Sequence, residues 1–319
     1  PQGRWRGALG PVLVGAAAAG PYRQDEALVH AYLATAAYCG YPKTSANSLE
    51  RWDCGPACQH VRGMSSVRQV TPPRGYDAFA FVGKHWGACL LAFRGTSNLH
   101  GWMQDVESYR LVDLARHGIN CTFNNTPCKV GDGFLAGYLS IASHIRSSLS
   151  AIGCRPGARL RVTGHSLGAA QAVIAMYDLT AWGYRIQQSY TFGQPRVGDA
   201  VFAAAFHRDV GQSANYRVAY RRDPVVHLPW KGFGLAGRFK HISTEVFYKG
   251  DTSQGYRLCD GSGEDPRCSL RFRDSFRMIR ACLNLSACDH LHYMRAAKHS
   301  DMDGRSCVNG SGAALDLLV

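Results

Sequence analysis

The 319-residue chain predicts an α/β protein built on a mostly parallel central sheet with helices on both faces. Three observations carry that expectation. Strand-like and helix-like runs alternate along the chain. A G-x-S-x-G pentapeptide, Gly164-His165-Ser166-Leu167-Gly168, joins an alternating run, Arg159 to Thr163, to a helix-like run, Ala169 to Tyr177. A composition of 46% hydrophobic and 18% charged residues is that of a chain able to bury a sizeable core.

Taken in order, residues 1–24 read as an N-terminal tail or the remnant of a signal peptide, with Arg4 and Arg6 ahead of a small apolar run, Ala8 to Gly20. That run is too short and too broken by Gly and Pro to span a bilayer. Residues 25–319 read as a single domain, opening on an amphipathic helix from Asp25 to Cys39 with Val29, Tyr32, Leu33 and Ala36 on one face. Phe79 to Val82 and Cys89 to Phe93 form a hairpin, and apolar residues at helical spacing make Phe134 to Ile152 a helix. Tyr190 to Phe192 and Tyr216 to Tyr220 are strands with a helix near Ala200 to His207 between them. The stretch from Gly250 to Pro266, rich in Asp, Gly and Ser, reads as a disulfide-closed surface loop.

Twelve cysteines, several in close pairs (Cys54 with Cys58, Cys121 with Cys128, Cys259 with Cys268, Cys282 with Cys288), indicate stapled loops and an oxidising, secretory compartment. Half a zinc site at Cys54 and Cys58 is the competing reading, but no second half follows it. Sequons at Asn120, Asn124, Asn284 and Asn309 agree with secretion and a glycoprotein. A formal charge of +13 draws the protein towards anionic surfaces, phospholipid headgroups among them. The basic residues are scattered, the densest cluster being Lys231, Arg238 and Lys240, and no nucleic-acid motif accompanies them.

Glycines on both sides of Ser166 allow a strained strand-to-helix turn that lifts the hydroxyl to a helix N-terminus. A serine hydroxyl is a poor nucleophile at neutral pH and requires a histidine base, which an acid must orient. In a strand-turn-helix setting the acid and then the base follow the serine in sequence. Asp223 lies just past the strand Tyr216 to Tyr220 and before Pro224, whereas Asp178 sits within a helix and Asp199 in a Gly-Asp turn. The base is one of the late histidines; the residues themselves leave His290 and His292 unresolved, with a metal site formed by that pair as the alternative. Two N–H donors must meet the developing oxyanion: the backbone of Leu167 supplies one, and the Arg94-Gly95-Thr96 turn is placed to supply the other.

These stretches, with Trp52-Asp53-Cys54, Gly133-Phe134-Leu135, Gly193-Gln194-Pro195-Arg196-Val197-Gly198-Asp199, Arg222-Asp223-Pro224 and Asp289-His290-Leu291-His292-Tyr293, resemble the fungal-type class 3 lipases of the α/β-hydrolase superfamily, in the family's order. The resemblance implies a secreted serine carboxylester hydrolase, a triacylglycerol lipase, with Ser166, Asp223 and His290 as its triad and Thr96 with Leu167 as its oxyanion hole. It implies no metal or other cofactor, action as a monomer at a lipid–water interface, and disulfides Cys39–Cys307, Cys54–Cys58 and Cys259–Cys268, with Cys89 and Cys154 left open. It also implies a lid over Ser97 to Gln104 carrying Leu99, Trp102 and Met103. Exposing a few hundred Å² of such surface to water costs on the order of several kcal/mol, a cost that largely vanishes at a lipid surface. The chain departs from the family's frequent histidine ahead of Gly133-Phe134, having Gly131 and Asp132 there. Phospholipase A1 or feruloyl-type esterase activity is the alternative within the class; outside it stands a catalytically silent cationic lipid- or glycan-binding protein on the same fold.

Overall fold

A computed structural model of the chain describes residues 21–40, 48–72, 78–96, 98–211, 215–230, 238–272, 275–284, 288–294, 301–302 and 307. The apolar run at 8–20, Lys231, His299, Asn309 and Ser97 lie outside the described residues.

Eight strands, β1 (Met64–Val70), β2 (Ala80–His85), β3 (Ala88–Phe93), β4 (Arg159–His165), β5 (Ser189–Phe192), β6 (Asn215–Tyr220), β7 (Glu245–Tyr248) and β8 (Arg257–Leu258), lie side by side in chain order. β3 to β7 are parallel to one another, and antiparallel strands flank them at both edges. A two-residue strand, Arg185–Ile186, also pairs with β4. The central strands are buried along nearly their whole length because both of their faces are covered, polar residues such as Thr191 and Arg217 included. Alternate residues divide between two cores: Ala80, Val82, Leu91 and Phe93 join one; Phe81, Leu90 and Ala92 join the other.

The first core is closed by α3 (Asp132–Ala151), α4 (Leu167–Ala181) and α5 (Ala200–Phe206); the second is closed by α1 (Gln24–Ala36) and by Tyr293, Met294 and Cys307. The short α2 (Leu99–Asp105) follows β3. This is the α/β-hydrolase architecture that the sequence predicts.

Three details differ from the sequence expectation. The first helix is not amphipathic: every residue from His30 to Ala36 is buried, because the helix lies between the sheet and the C-terminal segment tied to it by Cys39–Cys307. The packed structure also reaches back beyond Asp25, since Tyr22 is buried with its hydroxyl 2.8 Å from that of Tyr248. The stretch from Gly250 to Pro266 carries the edge strand β8.

All twelve cysteines pair: Cys39–Cys307, Cys54–Cys58, Cys89–Cys154, Cys121–Cys128, Cys259–Cys268 and Cys282–Cys288. The Cys54–Cys58 bond removes the zinc reading, since disulfide sulfurs are not thiolate ligands.

Candidate active site

The register of the parallel strands brings three turns to one edge of the sheet. Phe93 pairs with Gly164 and Phe192 with His165, so the turn after β3, the Ser166 elbow and Gly193 emerge together. Ser166 holds φ 58° and ψ −130°, a conformation that an L-residue adopts only at a cost of order 1–3 kcal/mol. The flanking glycines make it possible: a Cβ on Gly168 would strike the carbonyl oxygen of Arg94, and one on Gly164 the backbone of Gly168. The Ser166 N–H donates to Phe192 O at 2.9 Å, pinning the elbow to β5.

Asp223 follows β6 and has no exposed surface. Its Oδ1 accepts from the Val225 N–H at 2.7 Å, and its Oδ2 lies 2.9 Å from His290 Nδ1. The Tyr293 hydroxyl donates to the same Oδ2. Burial, and then the Asp223 charge, push the Tyr293 phenol well above its ordinary value, so it stays a donor. With a carboxylate on Nδ1, that nitrogen carries the ring proton and Nε2 keeps the basic lone pair. His290 Nε2 and Ser166 Oγ are both buried and have no hydrogen-bond partner among the described residues.

The rival residues are engaged elsewhere. His292 Nδ1 pairs with Asp301 at 2.8 Å. His241 Nε2 meets Val226 O at 2.8 Å. Asp178 accepts from Tyr138 at 2.5 Å and faces Arg146, and Asp199 caps α5 by accepting from Phe202 N at 2.7 Å. The residues themselves left His290 and His292 open; the structure turns only the first towards Asp223.

Three side chains that sequence reasoning passed over support this arrangement. His165, beside the serine, bonds Tyr38 OH through Nδ1 at 2.6 Å and the His290 carbonyl through Nε2 at 2.9 Å. Burial, reinforced by His290, drives its imidazole well below its ordinary value, so it is neutral and one nitrogen must accept. No local pattern marks Tyr38, which lies 127 residues from His165. Deeper, the wholly buried Arg196 forks onto Glu264 at 3.0 and 3.1 Å and donates to the carbonyls of His227 and Pro229, fixing the segment that follows the acid.

On the other side, a Cβ on Gly95 would come within 3.0 Å of Ser166 Cβ, so the Arg94-Gly95-Thr96 turn lies against the serine. Thr96 Oγ1 accepts from Asn98 N at 3.0 Å, and Asn98 caps α2 by accepting from Gly101 N at 3.0 Å. Leu167 opens α4, where the first N–H groups have no intrahelical acceptor. Within α2, Trp102 and Met103 are buried in the first core and Leu99 is half-buried against it. His100 Nε2 bonds the Cys282 carbonyl at 2.7 Å, joining α2 to the loop closed by Cys282–Cys288.

Residues 90–233 match the family described as Lipase (class 3). The chain is 31% identical over 251 residues to secreted mono- and diacylglycerol lipase MDL2 of Malassezia globosa, covering 76% of this chain and 74% of that protein. It is 29% identical over 240 residues to secreted mono- and diacylglycerol lipase 1 of Fusarium solani, covering 72% and 66%. The chain spans about half to two thirds of the length of several other curated relatives it matches. Among solved structures, the triacylglyceride lipase of Rhizomucor miehei shares the fold, with a TM-score of 0.67 at 24% identity over 88% of this chain and 96% of that one.

Proposed function

Since the chain belongs to the class 3 lipase family, we propose that it is a secreted serine hydrolase of acylglycerol esters with Ser166, Asp223 and His290 as its triad. The observation that carries this reading is the strained Ser166 elbow on the same sheet edge as a buried Asp223–His290 pair whose Nε2 is unpartnered among the described residues.

Ser166 Oγ attacks the ester carbonyl carbon while His290 Nε2 takes the hydroxyl proton, and Asp223 stabilises the imidazolium that forms. The carbonyl electron pair moves to oxygen, where the Leu167 N–H and the Thr96 turn receive it. Collapse breaks the ester bond, and the leaving alkoxide takes the proton from His290. Water, deprotonated in turn by His290, then releases the acid from Ser166. The chemistry needs no metal or other cofactor.

The α2 helix serves as the lid. Supporting this are its position directly after the oxyanion turn and its inward-facing Trp102 and Met103 with Leu99 at the rim. Beside its His100 contact, Leu283 is 66% exposed and Arg280 is also exposed, a pairing of apolar and cationic groups suited to an anionic lipid surface. Twelve paired cysteines and relatives named as secreted support an extracellular route. No helix among the described residues is long and apolar enough to cross a membrane. We take the enzyme to act as a monomer of one domain, which takes in Tyr22 ahead of the expected start at Asp25.

Turnover of emulsified triolein and diolein, dispersed phospholipid and soluble methyl ferulate by the wild type and Ser166→Ala tests the assignment. Acylglycerol turnover that Ser166→Ala abolishes is expected. Ser166-dependent turnover of phospholipid or ferulate alone would reassign the substrate, and no Ser166-dependent turnover of any ester would leave a silent lipid- or glycan-binding protein.

A further inference from the structure

We propose that Asn124 is an N-glycan attachment site whose first sugar packs on the ring of Phe123, making the glycan part of the folded structure. The inference rests on the secretory route proposed above.

Four sequons occur in the chain, and among the described residues the Asn124 sequon stands in a turn that Asn120 and Asn284 do not share. Thr122–Phe123 and Thr126–Pro127 form a small antiparallel ribbon in which Phe123 pairs with Thr126. The two linking residues, Asn124 and Asn125, have φ 48° and 60°, the left-handed pair of a two-residue turn whose twist matches the flanking strands. Asparagine tolerates that region better than other side chains. The Cys121–Cys128 bond closes the ribbon at its base, and Asn124, Asn125 and Thr126 are all exposed.

Residues directly opposite in such a ribbon point to the same face. Phe123 and the sequon hydroxyl of Thr126 therefore share one side of the turn, with Asn124 between them. Phe123 is half-buried, and Arg208, which donates to Thr122 O at 2.8 Å, lies with its guanidinium carbon 5.5 Å from the ring centre. The ring is thus held in place before any sugar arrives. A sugar presents a face of C–H groups, and covering an aromatic ring with it removes apolar surface from water.

In the attachment step, Asn124 Nδ2 bonds the anomeric carbon of a lipid-linked oligosaccharide diphosphate. The carbon–oxygen bond to the diphosphate breaks, the lipid diphosphate leaves with that electron pair, and the amide loses one proton. Two of the other sequons are less suited: at Asn120 the middle residue is the buried, disulfide-bonded Cys121, and Asn284 lies inside the Cys282–Cys288 loop.

The test is expression behind a host leader in a glycosylating eukaryotic cell, with occupancy at each sequon read by peptide mass spectrometry before and after enzymatic deglycosylation. Occupancy of Asn124 is expected, with its loss in Asn124→Gln. Deglycosylation should lower Tm by a few degrees in the wild type and leave Phe123→Ser unshifted. An unoccupied Asn124 overturns the site, and an equal Tm shift in Phe123→Ser overturns the packing of sugar on ring. Ester turnover by the same preparations reports separately on the proposed hydrolase.

Discussion

Asp223 and His290 have no exposed surface, and between them they engage Val225, Tyr293 and the His165–Tyr38 pair. The α2 helix on the Thr96 side of the same sheet edge is seven residues long, begins on one Asn98 cap, and is tied to the C-terminal segment through His100. The first region places donors around a carboxylate so that nothing moves while charge develops. The second buries apolar side chains behind a small number of hydrogen bonds, as the proposed lid role requires. On the proposed reading, geometry that is fixed before substrate arrives is thus separated from geometry that changes when it does.

Breaking the fixed side should have the largest consequence. Asp223→Asn removes the acceptor that sets the His290 tautomer, and kcat on a soluble short-chain ester should fall by about 10⁴-fold with the fold intact by circular dichroism. Retention of more than a tenth of the activity would sink the acid assignment. Tyr293→Phe deletes one of the donors to Asp223 Oδ2 and should lower kcat about tenfold, or about 1.4 kcal/mol, with KM little changed. A change confined to KM would show that Tyr293 touches substrate instead.

Acid should loosen the same side. Burial lowers His30 to about 3 and His227 to about 4, and it drives His165 and His241 well below the ordinary histidine value. Unfolded, each takes up a proton near pH 6.5, whereas folded they stay neutral. The unfolded state therefore binds more protons below that pH, and stability is highest above 6.5 and falls as pH drops towards 4. Thermal melts at pH 7.5 and 5.0 should differ by several degrees; equal melts would contradict neutral buried rings.

The smallest effect belongs to the movable side. His100→Ala removes a hydrogen bond worth about 1 kcal/mol net, which corresponds to about a fivefold easier opening of α2. Turnover of a soluble ester should rise by up to that factor, and the rise in rate at the solubility limit should shrink. An unchanged profile would mean that Trp102 and Met103 are permanent core.

The elbow was legible in the sequence because glycine spacing is a local signal and its cause is local too: the carbonyls of Arg94 and Gly168 leave no room for a Cβ. The β2–β3 hairpin, α3, β5 and β6 were legible from apolar period and turn residues for the same reason. β1 was not, since Ser65, Ser66, Arg68 and Gln69 place polar side chains along an irregular edge strand with a register shift. β7 was hidden by its buried Glu245, which makes sense only once Arg217 is seen 3.0 Å away on the neighbouring strand. Asp223 could be picked out by its place after a strand, but His290 and His292 differ only in partners, Asp223 and Asp301, that a linear pattern does not contain.

The strands stand in the sheet in the order in which they stand in the chain. A chain leaving the ribosome N-terminus first can therefore add each strand to an edge already laid down, with no later segment having to insert between earlier ones. The elbow is laid down midway, the proposed acid Asp223 two strands later, and the proposed base His290 only after the last strand has docked. If the proposed triad holds, catalytic competence is thus the final event of such an assembly, since a partly emerged chain that has its serine does not yet have the histidine to deprotonate it.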